Sequence, residues 1–334
     1  MERPGRPWRR RLARGAAGAA ALLVAAGLAL VGTVEARWDR TFDVPVPALR
    51  ATRDPAAIAR GRYLAYGPAR CASCHVAPEA RAALAAGGAP PLEGGGVFSI
   101  PAGTWYTPNL TPDAATGIGR WTDGQLARAL RHNVRPDGRA LMGAMEFQGL
   151  ADDDVVALLS FLRAQPAVRR RVPEHQLALP GRAIAAFVAG PIHPATPPPA
   201  AAPRGLTAAR GAYLADAVAR CDGCHTQRDL LTQRATGTRY AGGATFPTGP
   251  GGTFVSPNLT PHPRAGRMAR WSEAEFVGRM RGGRAHAGSP MPWESVARMR
   301  DEDLRAIYRY LRTLPPAADD PGPSWRPSGA TSDR

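Results

Sequence analysis

The residues with most chemistry to offer fall in two pentapeptides, Cys71-Ala72-Ser73-Cys74-His75 and Cys221-Asp222-Gly223-Cys224-His225. Together they use all four cysteines of the chain. Cys-x-x-Cys-His is the attachment sequence of a c-type haem. The spacing of the thiols matches the reach between the two haem vinyl groups, and the adjacent His is then held beneath the ring as an iron ligand. A redox dithiol would not need a His directly after each pair. A zinc site built from both pairs would have to span the 146 residues between Cys74 and Cys221, far beyond ribbon spacing. The cysteines therefore predict two covalently attached haem c groups, with His75 and His225 on the irons.

Each iron has a sixth position, and a Met thioether there raises the potential and closes the site for electron transfer. In the second half, Met291 stands in a loop as Met291-Pro292-Trp293, whereas Met280 and Met299 lie on helical faces and read as core. In the first half both Met142 and Met145 fall in the corresponding loop. Trp121 to Met142 is 21 positions, against 20 from Trp271 to Met291, which favours Met142. The pattern Asp137-Gly138-Arg139-Ala140-Leu141 leading to Met145 favours the other, and spacing alone leaves both open. Of the remaining histidines, His132 reads as a surface residue at a helix end. His193 and His262 sit in Pro-rich loops, and His175 and His286 have no evident partner.

The elements that must position these residues also come in pairs. Ala59-Arg60-Gly61-Arg62-Tyr63-Leu64 leads into the first motif, and Ala209-Arg210-Gly211-Ala212-Tyr213-Leu214 into the second, 150 positions later. Both read as helices with Tyr63 and Tyr213 on a packing face. Pro108-Asn109-Leu110-Thr111-Pro112 recurs as Pro257-Asn258-Leu259-Thr260-Pro261. Trp121 and Trp271 each precede a capping box, Thr122-x-x-Gln125 and Ser272-x-x-Glu275. Asp152-Asp153-Asp154 and Asp301-Glu302-Asp303 then open a last helix in each half, complementing the helix dipole, and Pro166 and Pro315 stop it. The chain is a tandem duplication.

At 334 residues the length suits two domains. Gly and Pro make up 71 residues, a loop-rich composition with few aromatics, and two buried macrocycles would supply much of the missing apolar volume. The formal charge of +16 comes from Arg alone, because there is no Lys. Six Arg and one Glu in residues 1–14 place +5 in the leader and +11 in the rest. The remaining arginines are scattered singly, and Arg169-Arg170-Arg171 reads as a solvated loop, so no nucleic-acid-binding stripe forms.

Arg9-Arg10-Arg11 and Arg14 precede an uncharged run over 15–34, whose 20 residues would span roughly 30 Å as a helix, about a bilayer core. Positive charge before the run orients the body outward. The run is longer than a usual signal core, which favours a retained anchor, although Val34-Glu35-Ala36 resembles a cleavage site that would release a soluble periplasmic protein. The expected organisation is an anchor or signal over 1–36, an extended tether over 37–54, and a first domain over 55–190, in which 180–189 forms an amphipathic helix. A Pro/Ala-rich linker over 191–207, a second domain over 208–317 and a disordered tail over 318–334 follow.

The run Pro108-Asn109-Leu110-Thr111-Pro112, then Thr116-Gly117-Ile118-Gly119-Arg120-Trp121-Thr122-Asp123, resembles the cytochrome c subunits of membrane-bound alcohol and sugar-acid (gluconate-type) dehydrogenases. So does 304–314 with Pro315-Pro316, and the similarity covers 55–166 and 208–316. The resemblance implies a mainly α chain, two tandem class I cytochrome c domains after an N-terminal transmembrane anchor. It implies Asn109 and Asn258 in loops lining the haem crevice, with Trp121 and Trp271 near the propionate edge. In those relatives the Met ligand follows the Trp by 24 residues in a Met-Pro-aromatic context. That spacing lands on Met145, with Glu146 in place of the Pro. The relatives carry three haem motifs and this chain carries two, so a dehydrogenase partner is suggested by kinship alone.

The expected function is a periplasm-facing dihaem cytochrome on the bacterial cytoplasmic membrane. It would carry single electrons from a dehydrogenase or quinol-linked donor to a downstream cytochrome or oxidase, and perform no bond-making chemistry itself. A dihaem peroxidase, with one open iron, and a cytochrome c subunit of a terminal oxidase are the alternatives. Methionines in both ligand loops oppose the peroxidase.

Overall fold

The computed structural model describes residues 7–328 except 142–144, 146, 195, 230–233, 249 and 250. The chain opens with helix α1, Pro7–Arg37, followed by an extended segment and then α2, Pro55–Tyr66. Asp54 caps α2 by accepting from Ala56 N at 3.0 Å, and Pro55 fills its first position, where the missing N–H costs nothing. The Cys-x-x-Cys-His residues form a separate short helix, α3, Cys71–His75, and α4 follows as Arg81–Ala85. A β-hairpin, β1 (Val97–Ile100) and β2 (Gly103–Tyr106), precedes α5, Asp123–His132, and α6, Asp152–Ala164. Strand β3, Gln176–Leu177, pairs antiparallel with β2, and α7 spans Leu179–Phe187.

The second half repeats the plan. Helix α8, Ala208–Ala212, continues into a π-helical turn, Tyr213–Val218, and α9 is Cys221–His225. Strands β4 (Thr245–Pro247) and β5 (Gly252–Val255) form the second hairpin. After it come α10 (Arg267–Arg270), α11 (Glu273–Arg281), α12 (Trp293–Val296) and α13 (Asp301–Arg312). Strand β6, Trp325–Pro327, completes that sheet on β5.

The core of each half is a helix pair in near contact, α2 on α6 and α8 on α13. A Cβ at Gly61 would lie 1.9 Å from Ala157 O, and one at Gly211 would lie 1.9 Å from Ala306 O. Only glycine admits backbones that close, which explains why it follows the repeated Arg in both halves. Leu64, Leu159, Leu214 and Leu304 are buried around these crossings. Both capping boxes form as the sequence predicts, Thr122 with Gln125 on α5 and Ser272 with Glu275 on α11.

Three features depart from the sequence reading. Trp325–Pro327 is a paired strand, although 318–334 reads as a disordered tail. Its Trp325 ring lies 4.5 Å from Phe254, and that apolar contact offsets the ordering of a polar segment. The Pro/Ala-rich linker is extended but tied down. Pro199 O and Ala200 O accept from Asp152 N and Asp153 N at 3.0 and 3.1 Å, satisfying first-turn amides of α6 that no side-chain cap reaches. The extended segment before α2 is likewise seated, with Val44 buried and Phe42 N donating to Gly138 O at 2.8 Å.

Candidate haem-binding sites

Each Cys-x-x-Cys-His helix begins at an arginine in the left-handed region, Arg70 at φ 57° and Arg220 at φ 52°. A non-glycine residue pays for that conformation, on the order of 1 kcal/mol. Its recurrence at both motifs shows that the turn is required to aim the helix. The following His is fixed twice over. Gly94 N donates to His75 O at 2.8 Å and Gly242 N to His225 O at 2.9 Å. On the rings, His75 Nδ1 lies 3.0 Å from Pro108 O, and His225 Nδ1 lies 3.1 Å from Pro257 O. With a carbonyl as partner, Nδ1 must carry the proton, which leaves Nε2 as the free donor atom. Burial holds both imidazoles below their ordinary pKa, opposed in part by the carbonyl contacts, so both rings stay neutral as a ligand must be.

His75 lines a cavity of about 450 Å³ with Trp121, Met145, Leu126 and Asn109. Cys71 and Cys74, on the same helix as His75, are not among its lining residues. Met142 lies outside the described residues. In the second half Cys221, Cys224, His225, Met291 and Trp271 line a cavity of about 300 Å³, which also touches Met280 and Met299. Those last two are buried, as core methionines are. Burial pushes the Cys71 and Cys221 thiols up to about 12. That is the opposite of the electropositive, thiolate-forming setting of a redox dithiol.

The walls hold groups that the sequence did not single out. His175 lines the first cavity and His286 the second. Arg40, Arg135 and Arg139 border the first, and Arg40 Nε is buried without a hydrogen-bond partner among the described residues. Arg267 and Arg279 border the second, with the Arg279 guanidinium 3.7 Å from the Trp293 ring centroid. No local motif marks these arginines, because separate loops bring them to the cavities.

The Asn-Leu-Thr-Pro loops border both cavities, through Pro108, Asn109 and Leu110 in the first and Pro257 and Leu259 in the second, and their Asn side chains have a further job. Asn109 Oδ1 accepts from Thr111 N at 2.9 Å, and its Nδ2 donates to Val168 O at 2.8 Å. Asn258 repeats both bonds with Thr260 N (2.8 Å) and Ala317 O (2.9 Å). Each amide therefore pins its loop to the segment after the last helix. Asn109 still borders its cavity, and Asn258 does not line the second one. His132 is half-buried rather than exposed, with its ring 5.2 Å from that of His193.

The fit to haem rests on the donor set: a neutral His with one nitrogen free, a thioether on the same apolar cavity, and an orphaned guanidinium N–H at the rim of the first. Such an arrangement, twice over, is that of a c-type cytochrome. No protein-family model matches the chain. Over 87% of its length it is 32% identical to the fructose dehydrogenase cytochrome subunit of Gluconobacter japonicus, covering 58% of that protein. It is also 32% identical to the cytochrome c subunit of the quinone alcohol dehydrogenase of Gluconobacter oxydans, over 78% of this chain and 55% of the other. A dihaem c-type cytochrome of Cereibacter sphaeroides is 30% identical over 73% of this chain and 82% of its own length. The chain belongs to this family of dehydrogenase cytochrome c subunits and dihaem cytochromes c. It spans somewhat over half the length of the two dehydrogenase subunits.

Proposed function

We propose that the chain is a dihaem electron carrier built from two tandem class I cytochrome c domains, 55–190 and 208–317. Cys71, Cys74 and Cys221, Cys224 hold one haem c each, His75 and Met145 ligate the first iron, and His225 and Met291 the second. The observation that carries this reading is the doubled site, a carbonyl-fixed His sharing an apolar cavity with one loop Met in each half. Haem c supplies a reversible one-electron couple. The residues fix the His tautomer, offer a soft thioether and surround the site with a largely apolar wall. The relatives' names support a dehydrogenase as the electron donor. A downstream cytochrome or oxidase would take the electrons on.

Within residues 11–37 of α1 an 18-residue stretch has a mean hydropathy of 2.1, and the helix is long and apolar enough to cross a membrane. Its end is packed on the body. Val34 is 2% exposed, Glu35 pairs with Arg182 at 2.7 Å, and the Arg182 guanidinium lies 5.2 Å from the Trp38 ring. Cleavage after Ala36 would cut through that contact, which supports a retained anchor; the arginines before the apolar run favour a body in the periplasm. Intact mass and reduced-state spectroscopy test the function. Two covalent haems, both low-spin and slow to bind carbon monoxide, are expected. A single haem overturns the dihaem reading, and a high-spin haem that binds carbon monoxide readily overturns the relay and favours the peroxidase alternative.

A further inference from the structure

We propose that the outward face of α7 lies in the membrane–water interface and seats the first half of the body on the lipid surface. The inference rests on the reading of α1 as a retained anchor. Helix α7 is two-faced. Gly181, Ala185 and Ala186 are buried, and these small residues bring the helix close to its support. Ile184, Phe187 and Val188, three and four residues apart, are 42%, 49% and 73% exposed. Leu179 at 46% and Ile192 at 38% extend the patch at either end. The β1–β2 turn abuts the same helix, with Ala178 N donating to Ala102 O at 3.1 Å and Ile100 nearby at 60% exposure. A contiguous apolar patch of this kind marks an interaction surface.

Its position names the occupant. Helix α7 packs on the end of α1 through Arg182–Glu35, and Arg37 lies over the Phe187 ring at 5.9 Å. At 1.5 Å per residue, the uncharged run from 15 to 34 uses up roughly 30 Å, the thickness of a bilayer core. The α7 contact therefore stands at the level where α1 leaves the hydrocarbon. Arg37, Trp38, Arg40 and Arg182 gather at that level, the aromatic and cationic composition of an interfacial belt. An amphipathic helix there buries its apolar face at the headgroup boundary. Held flat beside its anchor, the first haem site would face a membrane-bound donor at fixed height.

The test uses the full haem-loaded chain in vesicles of phosphatidylethanolamine and phosphatidylglycerol doped with a photoactivatable phospholipid, followed by peptide mapping. Label on both α1 and 179–192 is expected. Ile184→Glu with Val188→Glu should lower the 179–192 label severalfold while α1 label and the reduced spectrum stay unchanged. Slowed amide exchange over 179–190 in vesicles relative to detergent provides a check without substitutions. Label on α1 alone, with unchanged exchange, overturns the seating and leaves the face to a protein partner. Loss of label from α1 as well overturns the anchor and the seating with it.

Discussion

Tyr63 Oη donates to Asp303 Oδ2 at 2.6 Å, joining α2 of the first half to the first turn of α13 in the second. The reciprocal bond runs from Tyr213 Oη to Asp154 Oδ2 at 2.7 Å, on α6. Each carboxylate is also held by the arginine of its own half, Asp154 by Arg60 at 2.8 and 2.9 Å and Asp303 by Arg210 at 2.6 Å. The repeated Arg-Gly-x-Tyr is thus one device used twice. The Arg orients the acid, the Gly brings the helices together, and the Tyr reaches across to the other half. Both acids are nearly inaccessible, at 2% and 1% exposure.

Removing one hydroxyl should therefore be felt by the whole molecule. Tyr213→Phe leaves Asp154 short of a donor and Ala151 N, now 3.0 Å from the phenol oxygen, without its acceptor. A loss of about 1–3 kcal/mol is expected. Asp154→Ala leaves the partly buried Arg60 guanidinium and the Tyr213 hydroxyl without their shared acceptor and should cost about 3 kcal/mol, the low end for a broken buried pair. Denaturant unfolding of the haem-loaded protein measures both. If both variants fell within about 0.5 kcal/mol of the parent, in the range of ordinary surface substitutions, the clasp would carry no stability.

The parts of this arrangement that are local in sequence were legible there. The haem motifs, the two capping boxes and the acid-opened last helices depend on residues within one or two turns, and the duplication doubled each signal. The Tyr–Asp bonds join residues up to 240 positions apart, so the sequence showed only that Tyr63 and Tyr213 face packing. The small sheets went unseen because strands of two to four residues carry no periodicity and gain their stability from partners such as β3, some 70 residues after β2. The π-helical turn at Tyr213–Val218 exists in one copy only and has no marker in an otherwise repeated stretch. The wall arginines and His286 were illegible for the same reason as the clasp.

The ligand assignment has a direct spectroscopic consequence. Met145 lines the first cavity and Met291 the second. Met145→Ala should convert the first haem alone to high spin, and Met291→Ala the second alone, as read by low-temperature electron paramagnetic resonance. Met142→Ala should leave both low-spin. A high-spin first haem in Met142→Ala with a normal spectrum in Met145→Ala would reverse the choice between them.

Buried phenols set the alkaline limit. Burial pushes Tyr66 up to about 12, and burial together with the Asp216 carboxylate does the same for Tyr310, against an ordinary value of 10.0. Burial and the facing Asp303 raise Tyr63 as well, and burial and Asp154 raise Tyr213. A folded-state pKa above the unfolded one means that the native protein holds its protons more tightly. The contribution of these groups is complete below about pH 10 and is lost as pH rises through 12. Unfolding free energy measured across that window should fall, and Tyr66→Phe should make the fall shallower. A free energy level from pH 10 to 12 would contradict the burial of these side chains.

The two cavities differ in charge, and the difference should appear in the potentials. At the first, the guanidinium groups of Arg40, Arg135 and Arg139 are offset by the carboxylates of Asp137 and Glu174, with Asp137 at 3.1 and 3.4 Å from Arg135 and Arg139. At the second, Arg267 and Arg279 form no ion pair among the described residues. Burial and the neighbouring Arg267 charge hold Arg279 below its ordinary value. Two uncompensated guanidinium groups suit the haem carboxylates, and their positive charge favours the more negative, reduced state of the iron. The second haem is accordingly expected at the higher midpoint, receiving electrons from the first. Arg279→Gln removes roughly 1–2 kcal/mol of that attraction and should lower the second midpoint by tens of millivolts, leaving the first in place. Spectroelectrochemical titration, with Met291→Ala marking the second haem, reads the shift. An unmoved second midpoint, or a first haem at the higher potential, would refute the polarity argued from these charges.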